Sequence, residues 1–158
     1  MKQYIGTKII QAEPAWHYLL ESGKVITVGH DEETPQVVET AVHREDGYKV
    51  RYADGYESWS PKRVFEEAYR LTDGMSFGLA IEAAKKGERI ARAGWNGKNQ
   101  YVELATCISY KNASGEIVNV DHFNIGNKAL AFVGTSGVQM GWLASQADML
   151  ADDWCIVE

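Results

Sequence analysis

Spaced by its apolar positions, the chain reads as two successive runs of short strands and helices. "YIGTKIIQAEPAW" is extended in character, with Ile5, Ile9 and Ile10, and "HYLLESGKVITVGHDEETPQ" adds a short apolar piece and a loop from His30 to Gln36. In "GYKVRYADGYESWSPKRVFEEAYR", Tyr48, Val50 and Tyr52 alternate with charged partners, which predicts a half-exposed strand. Asp54-Gly55 supplies a two-residue turn, and Tyr56 to Trp59 returns as the partner strand. Ser60 as N-cap and Pro61 as first helical residue predict a helix through about Arg70. Phe65, Ala68 and Tyr69 share its apolar face, and Glu66 stands four residues before Arg70.

Asp73-Gly74 marks a linker. Beyond it Ser76 caps a second helix, "FGLAIEAAKKG", with Phe77, Ala80, Ile81 and Ala84 as its stripe and Gly87 at its end. Ile90 beside Arg89 predicts a strand, Gly94 to Asn99 a glycine-rich turn, and Tyr101 to Ala105 the next strand. "KNASGE" reads as a polar hairpin tip, and "ALAFVGTSGVQMGW" as strand, turn, strand. A short helix capped by Ser145 and a closing strand, "WCIVE", finish the chain. The pattern predicts an α+β fold of two small domains, residues 1–72 and 75–158, each a short antiparallel sheet with one or two helices.

A length of 158 residues fits two small domains, and 45% hydrophobic with 24% charged residues is the balance of a folded, soluble chain. No apolar run approaches the roughly 20 residues of a membrane span. "MKQYIGTKII" lacks the apolar core of a secretory signal, so the cytoplasm is the expected location. A formal charge of −6 argues against a DNA or RNA binder, which carries a basic footprint. A small anionic ligand needs only a few local cations. Cys107 and Cys155 form no CxxC pair and read as two semi-buried thiols in a reducing compartment.

No hydrolase elbow, Walker loop, HExxH or EF-hand pattern is present, and the four histidines show no metal-ligand spacing. The Asp121-His122 dyad has no evident nucleophile beside it and reads as surface or packing. On a helix Asp148 and Asp152 would share a face while Asp153 turns away, which makes a poor metal site. No catalytic residue, metal or cofactor is therefore assigned.

The remaining parts suit a nucleotide. Trp95 is a stacking surface, Arg89 and Arg92 are planar phosphate donors, Asn96 a partner for a base edge, and Asp148 an acceptor for ribose hydroxyls. Gly94 and Gly97 would admit a ligand close to the backbone. Each also has a plainer reading. Phe77 opens the core face of its helix, the tryptophans fit a core or an interface, Arg89 and Arg92 fit a solvated strand, and Ser145 fits an N-cap. Asp148 lies in a helical first turn, where the dipole favours it in any case.

Three ordered motifs sharpen the choice: "FGLAIEA", "RAGWNG" and "WLASQADMLADDW". With them, residues 75–158 closely resemble the Thoeris anti-defense 2 family, small phage proteins that sequester cyclic nucleotide signals of bacterial immunity. The resemblance implies binding without turnover, in the cytoplasm of the infected bacterial host. The implied ligands are glycocyclic ADP-ribose isomers, with cyclic dinucleotides at a second type of site in some members. It further implies homo-oligomers, tetramers, with pockets between subunits. Carried onto this chain, the pocket draws on Phe77, Trp95, Asn96, Trp142, Ser145 and Asp148, while Leu143, Met149, Leu150 and Trp154 are structural. Arg92 joins it on phosphate chemistry rather than on motif. The stretch 107–128 is longer and more polar than the family form. Residues 1–72 resemble a separate small phage-encoded family found upstream or alone. Two other functions stand beside it: a hydrolase of these signals, using Asp121-His122 and the tail carboxylates, and a phage inhibitor whose aromatics bind a host protein.

Overall fold

The computed structural model describes residues 1, 3, 6–119 and 128–158. Two compact units are present, Met1–Arg70 and Leu71–Glu158, and both are α+β with antiparallel sheets. Among the described residues no helix is long and apolar enough to cross a membrane.

The first unit is a four-stranded sheet of β1 (Gln11–Leu20), β2 (Val25–Gly29), β3 (Ala41–Arg51) and β4 (Glu57–Pro61), in the order β2-β1-β3-β4. The apolar piece after His17 is one arm of a hairpin, closed at Gly23 with φ of 78°. Pro14 lies in central β1, but pairing to β2 starts only at Ala15. The missing N–H therefore points past the end of β2, where the ladder does not need it. Tyr18, Leu20 and Val28 form a buried cluster.

The helix α1 (Lys62–Ala68) stacks Phe65 on Tyr48, ring centres 4.1 Å apart. It starts later than Ser60 and Pro61 suggest: Pro61 still pairs with Gly47 in the sheet and becomes the N-cap itself. Ala68 is exposed, and Arg70 lies past the helix end, donating to the Glu66 carbonyl instead of its carboxylate. On the other sheet face His17 stacks on Trp59 at 4.2 Å. Gly47 makes that possible, because a Cβ there would stand 2.8 Å from the Trp59 ring.

The second unit holds five strands in the order β10-β9-β6-β5-β11, from β5 (Arg89–Arg92), β6 (Tyr101–Ala105), β9 (Ala129–Gly134), β10 (Gly137–Met140) and β11 (Trp154–Val157). A separate hairpin joins β7 (Ser109–Lys111) to β8 (Ile117–Asn119), so the first part of the polar insertion folds on itself. The helix α2 (Phe77–Lys85) buries Ala80, Ala83 and Ala84, while Phe77 and Ile81 are half-buried. Small side chains let its backbone approach the sheet closely. Gly87, at φ 98°, ends it: the Glu88 N–H reaches the Ala83 carbonyl and the Gly87 N–H that of Ala84. Met75, Ile90, Val102 and the fully buried Trp154 complete the core. Backbone bonds from Met75 and Thr72 cover the outer edge of β11.

The last helix, α3 (Gln146–Met149), is a single turn. It stops before Asp152, so Asp148 and Asp152 share no helical face. Leu143 and Leu150 are 87% and 79% exposed and Met149 is 46% exposed, so these three are not core residues as the motif suggested. Trp154 alone of that set is structural. Both cysteines are free thiols; Cys155 is half-buried, but Cys107 is exposed and not the semi-buried thiol expected.

Candidate functional site

Arg92, the last residue of β5, stands opposite Trp154 in the β5–β11 register. Side chains opposite one another in an antiparallel pair project from the same face. The chain then turns through Gly94 to Asn99 and carries Trp95 back over that face. From the tail, α3 brings Asp148 and the junction into β11 brings Asp153 to the same place.

Arg92 is held from two sides. Its Nε donates to Asp153 Oδ1 at 2.8 Å, and its Nη1 donates to Asp148 Oδ1 at 2.9 Å. Asp153 Oδ2 accepts the Gly94 N–H at 2.9 Å. Asp148 is shared further. Its Oδ1 also receives the Trp95 indole N–H at 3.4 Å, and its Oδ2 receives the Ser145 N–H at 3.0 Å and hydroxyl at 2.7 Å. In return Ser145 Oγ accepts the Asp148 N–H at 3.1 Å, which closes a capping box at the head of α3. The Asp148 carbonyl takes the Trp154 indole N–H at 2.9 Å.

Around this polar hub the aromatic rings meet edge to face. Trp95 lies 5.4 Å from Trp154, 5.4 Å from Phe132 and 6.1 Å from Trp142, all near perpendicular. Phe77 meets Trp154 at 5.4 Å. Such offsets suit the ring quadrupoles and fix each indole against its neighbours.

Six of the seven anticipated site residues thus enter one cluster: Phe77, Arg92, Trp95, Trp142, Ser145 and Asp148. Asn96 follows Trp95 on the turn and is exposed. The polar members differ from expectation. Asp148 already accepts from four donors and Arg92 already faces two carboxylates, so neither is an idle ligand group. Trp95 is half-buried, not an exposed turn aromatic. The glycines serve the fold first: a Cβ at Gly97 would fall 1.8 Å from the Gln100 side chain, and one at Gly94 3.0 Å from Asp153 Oδ2. The motifs do not point to Asp153 or Phe132. A helix continued past Leu150 would turn Asp153 away, although its place beside Trp154, with two arginines upstream, is compatible with an ion pair. Asp121-His122 lies outside the described residues. Among those described, no three His, Cys, Asp or Glu side chains are grouped to hold a metal.

The Arg92 hydrogen bond holds the Asp153 carboxyl below the ordinary range. Partial burial pushes Asp148 up, but donors from Ser145, Arg92 and Trp95 outweigh it and leave that carboxyl low as well. Both groups are depressed in the folded state. Their contribution to stability is therefore present above the unfolded value, about 3.9, and is lost as pH falls through the folded values. Urea midpoints are expected to hold from pH 7 to about 5 and to decline below about 4. In Arg92→Gln the decline should be shallower, since the donor common to both carboxylates is gone; an equally steep decline would place the acid-labile groups elsewhere.

A family model described as Tad2-like, a Thoeris anti-defense 2-like domain, matches residues 75–157. The chain is also 40% identical over 88 residues to the protein "Thoeris anti-defense 2" of Bacillus phage SP01. That alignment covers 52% of this chain and 94% of the phage SP01 protein.

Proposed function

The chain belongs to the Thoeris anti-defense 2-like family, and from that premise we propose that its second unit sequesters cyclic nucleotide immune signals, intact, on behalf of a phage. The observation that carries this reading is the Trp95–Trp142–Trp154 cluster, with Trp95 and Trp142 half-buried, locked to a hydrogen-bonded carboxylate beside a glycine-containing turn. A preformed aromatic wall costs little ordering on binding. Glycocyclic ADP-ribose is the leading ligand, with cyclic dinucleotides as the second class. Phe77, Trp95 and Trp142 supply its stacking surfaces and Asn96 a contact to a base edge. Arg92, Ser145 and Asp148 complete the site, chiefly by presenting the indoles. Lys98, exposed on the same turn and in no ion pair among the described residues, is a further cation within the turn for phosphate.

Nanomolar retention needs about 12 kcal/mol. Stacking at roughly 1–3 kcal/mol per base and charge-assisted bonds of about 1.5–3 kcal/mol each reach it in an enclosed pocket. Enclosure comes from a second copy. Among the described residues β10 is an edge strand that exposes Val138 (61%) and Met140 (46%), and Leu143 and Leu150 are exposed as well. These support a homo-oligomer, a tetramer in this reading, acting in the cytoplasm of the infected host. The first unit is a separate phage-encoded domain joined to it.

The test is capture and release. Protein is mixed with glycocyclic ADP-ribose, freed of unbound ligand by gel filtration, and then heat-denatured. Intact ligand near one equivalent per site is expected. Recovery of none removes the sequestration reading, and recovery of cleaved ligand makes the protein a hydrolase.

A further inference from the structure

Asp153 has no part in the site as proposed so far, yet its four hydrogen bonds, one of them a 3.5 Å contact from Arg92 Nη2 to Oδ2, all end on the segment that carries Trp95. Its Oδ1 holds Arg92 Nε at 2.8 Å, its Oδ2 holds the Gly94 N–H at 2.9 Å, and its carbonyl accepts the Ala93 N–H at 3.0 Å. Three consecutive residues, Arg92 to Gly94, are thereby tied to one aspartate. The far side of the same guanidinium reaches Asp148 Oδ1, which receives the Trp95 indole N–H. Arg92 is only 20% exposed and Asp148 14%, so their contact is poorly screened by solvent, while Asp153 is 35% exposed.

From this we infer that Asp153 is a positioning residue: through Arg92 and the Gly94 amide it sets the orientation of Trp95 in the ligand site. The charges explain why two carboxylates are needed. A guanidinium offers donors along two edges of a rigid plane. With Asp148 alone, one edge would be satisfied and the plane free to swing about that contact. With Asp153 on the other edge, the plane is fixed and Asp148 with it. Asp148 then has one geometry in which Ser145, Arg92 and Trp95 are all satisfied. The fit at Gly94 is close: a Cβ there would meet Asp153 Oδ2 at 3.0 Å, so a larger side chain displaces the carboxylate.

This inference rests on the sequestration reading for its consequence, but not for its test. In Asp153→Asn the size and one acceptor remain, while the charge on the guanidinium's Nε edge is lost. With glycocyclic ADP-ribose as probe, the dissociation constant is expected to rise 10-fold or more at unchanged stoichiometry. Because Asp153 acts through Arg92, Asp153→Asn combined with Arg92→Gln should bind no worse than Arg92→Gln alone. A residue that merely holds the fold would lower the bound fraction and leave the affinity of the folded protein intact. That outcome, or full additivity with Arg92→Gln, overturns the inference.

If the parent protein binds no probe, the sequestration reading fails and Asp153 is judged on ligand-free protein. The emission of Trp95, taken as the difference from Trp95→Phe, should shift equally in Asp153→Asn, in Arg92→Gln and in the double variant. An unchanged Trp95 signal in Asp153→Asn overturns the inference. Should Asp153→Asn fail to fold, Gly94→Ala disturbs the same contact without removing a charge, and the same shift is expected of it.

Discussion

Trp154→Ala is expected to unfold the second unit under conditions where the parent protein is stable. Trp154 is fully buried, meets Phe77, Trp95 and Trp142 within about 6.3 Å, and donates its N–H to the Asp148 carbonyl. Truncating a core tryptophan costs about 3–5 kcal/mol, and the lost hydrogen bond adds about 0.5–1.5 kcal/mol. A unit of this length is stable by about 4–12 kcal/mol in total. The loss is therefore of the order of the whole. Urea unfolding followed by near-UV circular dichroism checks it: the tryptophan bands of the second unit should vanish at far lower urea than in the parent. A midpoint shift equivalent to under about 1 kcal/mol would show that the aromatic cluster is not the core's keystone.

Trp95→Ala is expected to act on binding more than on stability. Its ring is half-buried and packs on Phe132, Trp142 and Trp154, so some stability is lost. The larger effect is the loss of a stacking surface, worth roughly 1–3 kcal/mol per base, or about 5- to 150-fold in affinity for glycocyclic ADP-ribose. Trp95→Phe separates the two functions of the indole. It keeps a face for stacking but removes the N–H that reaches Asp148, and an intermediate loss is expected. Isothermal titration of both variants reads the result. Unaltered affinity in Trp95→Ala would move the ligand away from this cluster, and with it the assignment of Phe77 and Trp142.

The relation between motif and geometry explains why the candidate site is partly legible in the sequence. Trp95, Trp142, Ser145 and Asp148 fall in quoted motifs, and the structure gathers them because each motif sits where an element ends. What the motifs could not supply was direction. Asp153 and Asp148 were assigned opposite sides of one helix, whereas α3 lasts a single turn and both carboxylates close on Arg92. The family motif implies that Leu143 and Leu150 are structural, but the segments on either side of α3 leave both exposed.

Local pattern alone determined the α+β class, α2 with its Ser76 start and Gly87 stop, the β3–β4 hairpin and the strand–turn–strand of 129–140. These features are set by backbone preferences within a few residues: alternation along a strand, the 3.6-residue apolar stripe of α2 and a glycine at positive φ; Ser76 takes the N-cap position of α2 without a side-chain capping bond. Tertiary structure alone decided the ends of α1 and α3, the exposure of the apolar residues around α3, and the use of Arg92. A guanidinium 56 residues from Asp148 and 61 from Asp153 finds them only when β5 pairs with β11, and that pairing is driven by burying Trp154 against α2. The charge pairing that shapes the site is thus a consequence of core burial, which no short window of sequence contains.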